Sequence, residues 1–340
     1  MTAVTPVPIA AIYRPRGGPD GRPVAALDED AFTLTATALE AVSRAAAERT
    51  DVTIRLVGAA QECRDDLLAA VVGRPIRCER PAAAPIDLRT LLEPSPSATH
   101  ILVGAEYAGG KAPTSKAGDG AFACLVVSDG ADPAEETSSP EGPVGAGSWL
   151  DAALALDRSA RRFAATQWIG DWSPPRLGAP SGPAPKVVPF HPLLSAVSEG
   201  AYVPRPRYLE GLGSRWRFEA DRCASCGTVT FPARGVCRGC ALRTGLVRTQ
   251  LPFDGGTVVS VTEIGRGGQP TEFDPWVDAV GSYSVALVDL APGVRATLQV
   301  TDAAPGELRI GATVGTRLRR LYPMEGEWRY GRKAVPRPTP

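Results

Sequence analysis

Histidine, long apolar runs and net charge are what this sequence has least of. Only two histidines occur in 340 residues, His100 and His191. The first opens an apolar run and the second sits in the proline-rich PFHPLL, so neither falls in a pattern that sets an imidazole beside a nucleophile. No stretch reaches the roughly 18 apolar residues that a spanning helix needs. The start, MTAVTPVPIAAIYRPRGG, lacks the basic residues and long apolar core of a secretory signal, so the expectation is a soluble cytoplasmic protein with no membrane partner. Lys plus Arg number 37 and Asp plus Glu number 37, a net charge of zero, which argues against a nucleic-acid coat. There is no long internal repeat, and neither GxGxxG nor GxxxxGKS/T occurs, so the usual phosphate-cradling loops are excluded.

What is present is enough apolar material, 44% of the chain, for about two globular domains at this length. Proline is abundant at 33 residues and collects between the two halves. The expected organisation is an α/β domain over 1–175, a proline-rich linker over 176–207, a helix and cysteine cluster over 208–245, and a small β-barrel over 246–337. Residues 1–204 hold 18 basic and 24 acidic side chains, a net of −6, whereas residues 205–340 hold 19 and 13, a net of +6. The zero is a sum of opposites.

In the first part, Asp28 to Glu48 reads as an amphipathic helix with Phe32, Leu34, Leu39 and Val42 on its apolar face. The acidic residues Asp28, Glu29 and Asp30 suit the positive end of its dipole. VTIRLVGA (52–59), HILVGAEYAG (100–109) and GDGAFACLVVSD (118–129) read as buried strands. A helix over Glu62 to Val72 and another helical or extended segment over Trp149 to Phe163 complete an α/β layer pattern.

The strongest chemical signal is Cys223-x2-Cys226-x10-Cys237-x2-Cys240. Each CxxC forms a knuckle in which two thiolates face one ion, and two knuckles close a tetrahedral four-sulfur shell around a structural Zn2+. Gly227, just after the second cysteine, and Gly239, inside the second knuckle, are expected to supply the backbone freedom there. A dithiol redox pair is the competing reading of a single CxxC, but two at this spacing favour the metal. A shell of four cysteines leaves no coordination position for substrate, so the ion is expected to stabilise the fold and not to catalyse.

Four further runs, 255–264, 283–290, 293–300 and 312–322, alternate apolar and polar residues between turn signals. They predict a small antiparallel barrel of the OB type. Arg317, Arg319 and Arg320 lie on its last long strand and are candidates for binding the phosphates of coenzyme A or a partner; a solvated barrel face is the alternative. On a strand Arg317 and Arg319 share a face and Arg320 takes the other. The loop GRGGQPTEFDPW (265–276) is a place for recognition or for disorder until a partner binds. Trp216 and Phe218 either cover an acyl tunnel or simply pack.

The run YLEGLGSRWRFEADRCASCGTVTFPARGVCRGC, followed by GTVVSVTEI, YSVALVDLAPGVRATLQV, GELRIGATVGTRLRRLY and YGRKAVP, resembles an acyl-CoA-associated family. That family joins a helix and a rubredoxin-like zinc ribbon to an OB-fold. The resemblance covers about 208–337 and implies an accessory subunit of thiolases, hydroxymethylglutaryl-CoA synthase-like enzymes or thiolase-like aldolases. Such a subunit assembles with a thiolase-superfamily partner and helps form its acyl-CoA site. The N-terminal part resembles a degenerate first half of a hydroxymethylglutaryl-CoA synthase, carried by ALDEDAFTLTATALEAV, RLVGA and HILVGAEYAGGKAPTSKAGDGAFACLVVSDG. That family places a nucleophilic cysteine between the RLVGA-like and ILVGAE-like strands. Here only Cys63, in the predicted helix, and Cys78, in IRCER, occupy the interval, and neither follows the family's turn. Cys124 reads as a core thiol. No catalytic residue is therefore assigned. The alternatives are a single-stranded nucleic-acid-binding ribbon and barrel, or an autonomous thiolase-like acyltransferase whose site goes unrecognised.

Overall fold

A computed structural model describes residues 9–13, 28–46, 52–81, 99–107, 120–126, 165–169, 203–251, 255–303, 306–324 and 326–337. The chain divides into two units, Met1–Val187 and Val188–Pro340. The segment Trp149 to Phe163, most of the proline-rich stretch and His191 lie outside the described residues.

The first unit is a mixed six-stranded sheet with helices. Its strands are β1 (Ile9–Tyr13), β2 (Val52–Gly58), β3 (Arg77–Glu79), β4 (Thr99–Glu106), β5 (Gly120–Val126) and β6 (Ala165–Ile169), in the order β3-β2-β4-β5-β1-β6. Strand β2 runs parallel to β3 and β4, β5 runs antiparallel to β4 and β1, and β6 runs parallel to β1. Every residue of β5 is buried, which is why the sequence shows a continuous apolar run there and no alternation.

Helix α1 (Ala31–Ala45) is shorter and more deeply buried than its pattern predicts. Asp30 is its N-cap, accepting from the Thr33 amide at 2.9 Å, and the Asp30 amide donates to the Thr33 hydroxyl at 2.8 Å. Thr33, Thr35 and Thr37 are buried along with Phe32, Leu34, Leu39 and Val42. The Thr35 and Thr37 hydroxyls donate to the carbonyls of Ala31 and Thr33, four residues back. Threonine satisfies its own hydroxyl in this way, so a stretch that reads as half polar is apolar in effect. The helix expected from Glu62 is split. A 3-10 turn, Ala59–Glu62, precedes Cys63, and α2 (Asp65–Val72) starts after it.

The second unit begins with two short helices, α3 (Arg205–Glu210) and α4 (Leu212–Arg217). A three-stranded ribbon follows, β7 (Glu219–Cys223), β8 (Val229–Thr230) and β9 (Leu246–Gln250), ordered β8-β7-β9. Then come β10 (Gly256–Gly265), α5 (Asp274–Val280), β11 (Ser282–Ala291), β12 (Val294–Gln299), β13 (Thr313–Met324) and β14 (Glu327–Pro336). These last strands form a five-stranded antiparallel sheet in the order β12-β11-β10-β13-β14. Its two ends meet where Val300 bridges Ala334 in parallel and the Thr301 amide donates to the Ala334 carbonyl at 2.9 Å, so the sheet closes on itself. Phe218, Ala220 and Leu251 from the ribbon share one buried cluster with Val258, Val288 and Val314 from the barrel. Ribbon and barrel are thus one folding body.

The loop 265–276 is folded. Thr271–Phe273 forms a 3-10 turn leading into α5. Phe273 stacks on Tyr283 at 5.3 Å and meets Tyr322 edge-on at 5.3 Å. Trp276 is buried against Trp328 at 6.1 Å, and its indole N–H donates to the Leu321 carbonyl. Among the described residues no helix is long and apolar enough to cross a membrane.

Candidate metal centre

Two knuckles of matching backbone build the cysteine cluster. In the first, the Gly227 amide donates to the Cys223 carbonyl at 2.9 Å; in the second, the Ala241 amide donates to the Cys237 carbonyl at 2.9 Å. Both closing residues adopt positive φ, 72° at Gly227 and 59° at Ala241. Glycine takes this conformation without steric cost, whereas alanine carries a penalty of about 1 kcal/mol. Ala241→Gly is therefore expected to stabilise the ribbon by about 0.5–1 kcal/mol, measurable as a higher urea midpoint with unchanged zinc content.

The four sulfurs lie within 4.8 Å of one another. Cys223 and Cys240 are 3.6 Å apart, and Cys226 and Cys237 are 3.5 Å apart. A tetrahedron with metal–sulfur bonds of about 2.3 Å has sulfur–sulfur edges of about 3.8 Å, so the cluster fits Zn2+. Cys223 and Cys237 are buried and Cys226 and Cys240 are exposed. Sulfur must be a thiolate to bind metal, and the local dipoles favour that state at Cys226 and Cys223, whereas at Cys240 the lowering by the Leu242 amide is outweighed by burial and the three neighbouring sulfurs, which push the thiol up to about 12. The hydroxyl and amide of Thr228, with a smaller contribution from Cys237, push the Cys226 thiol down to about 6. The amide of Cys226 lowers Cys223 in the same way, and the Gly239 amide donates to Cys237 Sγ at 3.3 Å.

The support behind the knuckles includes a residue the sequence reading passed over. Asp221, buried on β7, accepts from the amides of Arg234 and Gly235 at 2.9 and 2.8 Å and lies 3.4 Å from Arg248 Nε. It ties down the segment that leads into the second knuckle. Its signal was its place two residues before Cys223, where an acid beside four future thiolates needs a structural reason. Asp221→Ala removes a charged acceptor from the amides of Arg234 and Gly235, at about 1–3 kcal/mol. The expected result is zinc loss at lower chelator concentration than in the parent chain, measured by competition with a chromogenic chelator.

The remaining candidates separate clearly. Arg319 is fully buried with its guanidinium 3.2 Å from Asp302, and Arg320 is buried over the Trp328 ring at 4.6 Å. Arg317 keeps partial exposure. The alternative of a solvated barrel face is thus absent around Arg319 and Arg320, where the folded loop 265–276 brings Trp276 over β13 and β14. Lys333 and Arg329 sit in the same kind of stack, over Trp276 at 4.6 Å and Tyr208 at 4.9 Å. Cation–ring contacts of this kind stabilise desolvated cations. Trp216 and Phe218 pack: the Trp216 indole donates to the Tyr330 carbonyl at 3.0 Å and Phe218 stacks on Phe231 at 5.8 Å.

In the first unit Cys63 and Cys124 are buried. Burial pushes both Cys63 and half-buried Cys78 up to about 12, with Asp65 adding to the effect at Cys78. Neither has the lowered pKa of an activated nucleophile. His100 is buried in β4, 3.3 Å from Arg55 Nη1.

Residues 214–247 match the family model described as ChsH2, rubredoxin-like zinc ribbon domain. A DUF35 domain-containing scaffold protein of Methanothermobacter thermautotrophicus is 33% identical over 114 residues, 33% of this chain and 79% of that relative. The chain belongs to the DUF35 family. A second DUF35 domain-containing scaffold protein, from Methanocaldococcus jannaschii, is 32% identical over 101 residues, 29% of this chain and 66% of the relative. Among solved structures, the Ltp2-ChsH2(DUF35) aldolase aligns at 21% identity and a TM-score of 0.31, over 40% of this chain and 98% of that one.

Proposed function

We propose that this DUF35 chain is a non-catalytic scaffold subunit of an acyl-CoA-processing complex. Its four-cysteine zinc ribbon and closed barrel, read as an OB type, form the body that docks a catalytic partner of the thiolase superfamily. The observation that carries the reading is the chain's kinship with proteins named scaffolds. The chemistry of the site agrees with it. Four thiolates from Cys223, Cys226, Cys237 and Cys240 complete the coordination of Zn2+ and leave no position for a substrate. When bound, zinc supplies cross-linking of the two knuckles; the chain's own residues supply the thiolates, the amides that support them and the Asp221 tether. The first unit, read as a degenerate thiolase-like layer, contributes a surface for assembly and no nucleophile, since Cys63 and Cys78 are both held as neutral thiols. Partly exposed Arg317 is the member of the arginine run placed to meet a partner or a coenzyme A phosphate.

Co-expression with a candidate thiolase-superfamily subunit tests this. The expected result is a complex that co-elutes in size exclusion with both chains and one zinc per scaffold. Separate elution of two folded, zinc-loaded proteins across every such candidate encoded beside this chain would count against it.

A further inference from the structure

The four cysteines do not share one environment. Cys223 and Cys237 are 1% and 2% exposed, whereas Cys226 and Cys240 face solvent. The sulfur contacts of Cys223 with Cys240 at 3.6 Å and of Cys226 with Cys237 at 3.5 Å each join a buried sulfur to an exposed one. Each also joins one knuckle to the other.

Little covers the exposed pair. Between the paired cysteines stand only Ala224 and Ser225 in the first knuckle, and Arg238 and Gly239 in the second. The Arg238 guanidinium is drawn away to the Gly293 carbonyl at 2.8 Å. A Cβ on Gly227 would meet nothing within 4 Å, and one on Gly239 would lie 3.5 Å from Cys226 Sγ, so a glycine is what borders that sulfur. Oxidation of cysteine follows thiolate character and exposure, and goes on to a disulfide where a second sulfur stands close by. The zinc shell supplies the thiolate character, and the structure supplies the exposure and the second sulfur. Cys63 and Cys124 are buried. Cys78 is half-buried, its thiol held neutral by burial and Asp65.

We propose that the ribbon is a peroxide-sensitive modification site, in which oxidation exchanges the zinc shell for two cross-knuckle disulfides, Cys223–Cys240 and Cys226–Cys237. The exposed thiolate attacks a peroxide oxygen; the S–O bond forms, the O–O bond breaks, and the leaving hydroxide is protonated to water. The buried partner then attacks the sulfenic sulfur, forming the S–S bond and expelling a second hydroxide, likewise protonated. Each pair gives two electrons to one peroxide. Both pairs together consume two peroxides and four protons, yield four waters and release one Zn2+. A disulfide is about 2.05 Å long, so each pair closes by about 1.5 Å. The reaction needs no catalytic partner, so it stands or falls separately from the scaffold reading.

The test is hydrogen peroxide added to the full zinc-loaded chain without denaturant, with zinc release followed by a chromogenic chelator and disulfides mapped by mass spectrometry. The expected result is complete loss of zinc, with about two peroxides consumed per zinc, and recovery of the metal on adding a dithiol and Zn2+. Cleavage after Arg222, Arg234, Arg238 and Arg243 puts Cys223 and Cys226 on one peptide and Cys237 and Cys240 on two others. The expected disulfides therefore join all three peptides, and fragmentation assigns the pairs. Cys78→Ser is expected to release zinc at the parent rate. Zinc retained in excess peroxide overturns the proposal, as does loss that a dithiol and Zn2+ do not reverse. So do disulfides within a knuckle or between Cys223 and Cys237. Slower release in Cys78→Ser would move the sensitive thiol out of the ribbon and overturn it too.

Discussion

Replacing Cys223 or Cys237 with serine is expected to abolish zinc binding and unfold the ribbon over residues 219–250. The effect should be the largest of any single change in the second unit. Structural zinc supplies on the order of 10 kcal/mol of binding free energy in small ribbons and fingers, and that binding energy is folding energy. Little else can replace it. Strand β8 has only two residues, and β9 is mostly exposed. The consequence reaches the barrel, because Phe218, Ala220 and Leu251 belong to its core cluster and Phe231 packs against it. Elemental analysis should read one zinc per parent chain and none per variant. Amide resonances of the ribbon should collapse to random-coil positions, and those of the barrel should shift. Cys78→Ser, remote in sequence from the cluster and half-buried in β3, should keep full zinc content. A ribbon that stays dispersed and protected after complete chelation would show that packing alone folds it.

Trp216→Ala is expected to cost about 3–5 kcal/mol, the range for truncating a large buried aromatic. Trp216 is 1% exposed. It meets Tyr208 at 6.4 Å and Tyr330 at 6.5 Å, both edge-on, a favoured geometry for aromatic pairs. The Tyr330 carbonyl accepts from both Trp216 Nε1 and the Tyr208 hydroxyl, at 3.0 Å each, and the Tyr330 amide donates back to that hydroxyl at 2.8 Å. Arg332 Nε donates to the Trp216 carbonyl at 2.5 Å. Helices α3 and α4 thereby cover the outer edge of β14 at Tyr330, away from the Ala334 contact where the sheet closes; left open, that stretch of edge would invite pairing with another chain. Urea unfolding should show the loss, while zinc content should stay at one per chain because no thiolate is touched. A cost below about 1 kcal/mol would mean that the helix pair is not what secures this strand.

The sequence made the metal centre legible because cysteine spacing is a geometric statement: two CxxC knuckles can face one ion whatever surrounds them. The barrel strands were legible for a related reason, since period-two alternation between turn residues survives without knowledge of neighbours. Helix α5 was not. GGQPTEFDPW carries glycine and proline signals of a loop, yet Phe273 and Trp276 bury themselves against Tyr283, Tyr322 and Trp328 from distant strands. The surroundings of the arginine run were hidden for the same reason. Arg319 and Arg320 look like a solvated face until Asp302 and Trp328, 17 residues before Arg319 and 8 after Arg320, arrive beside them. In α1 the polar texture of Thr33, Thr35 and Thr37 hid a helix buried on nearly every side.

The most direct test of the scaffold account is a turnover assay of the purified, zinc-loaded chain on acyl-CoA substrates, alone and with its thiolase-superfamily partner. The account predicts no carbon–carbon bond formation or cleavage by the lone chain, and activity that appears only when the pair is reconstituted. Turnover by the lone chain that vanishes in Cys78→Ser while zinc content is unchanged would contradict it, and would make this protein an enzyme in its own right.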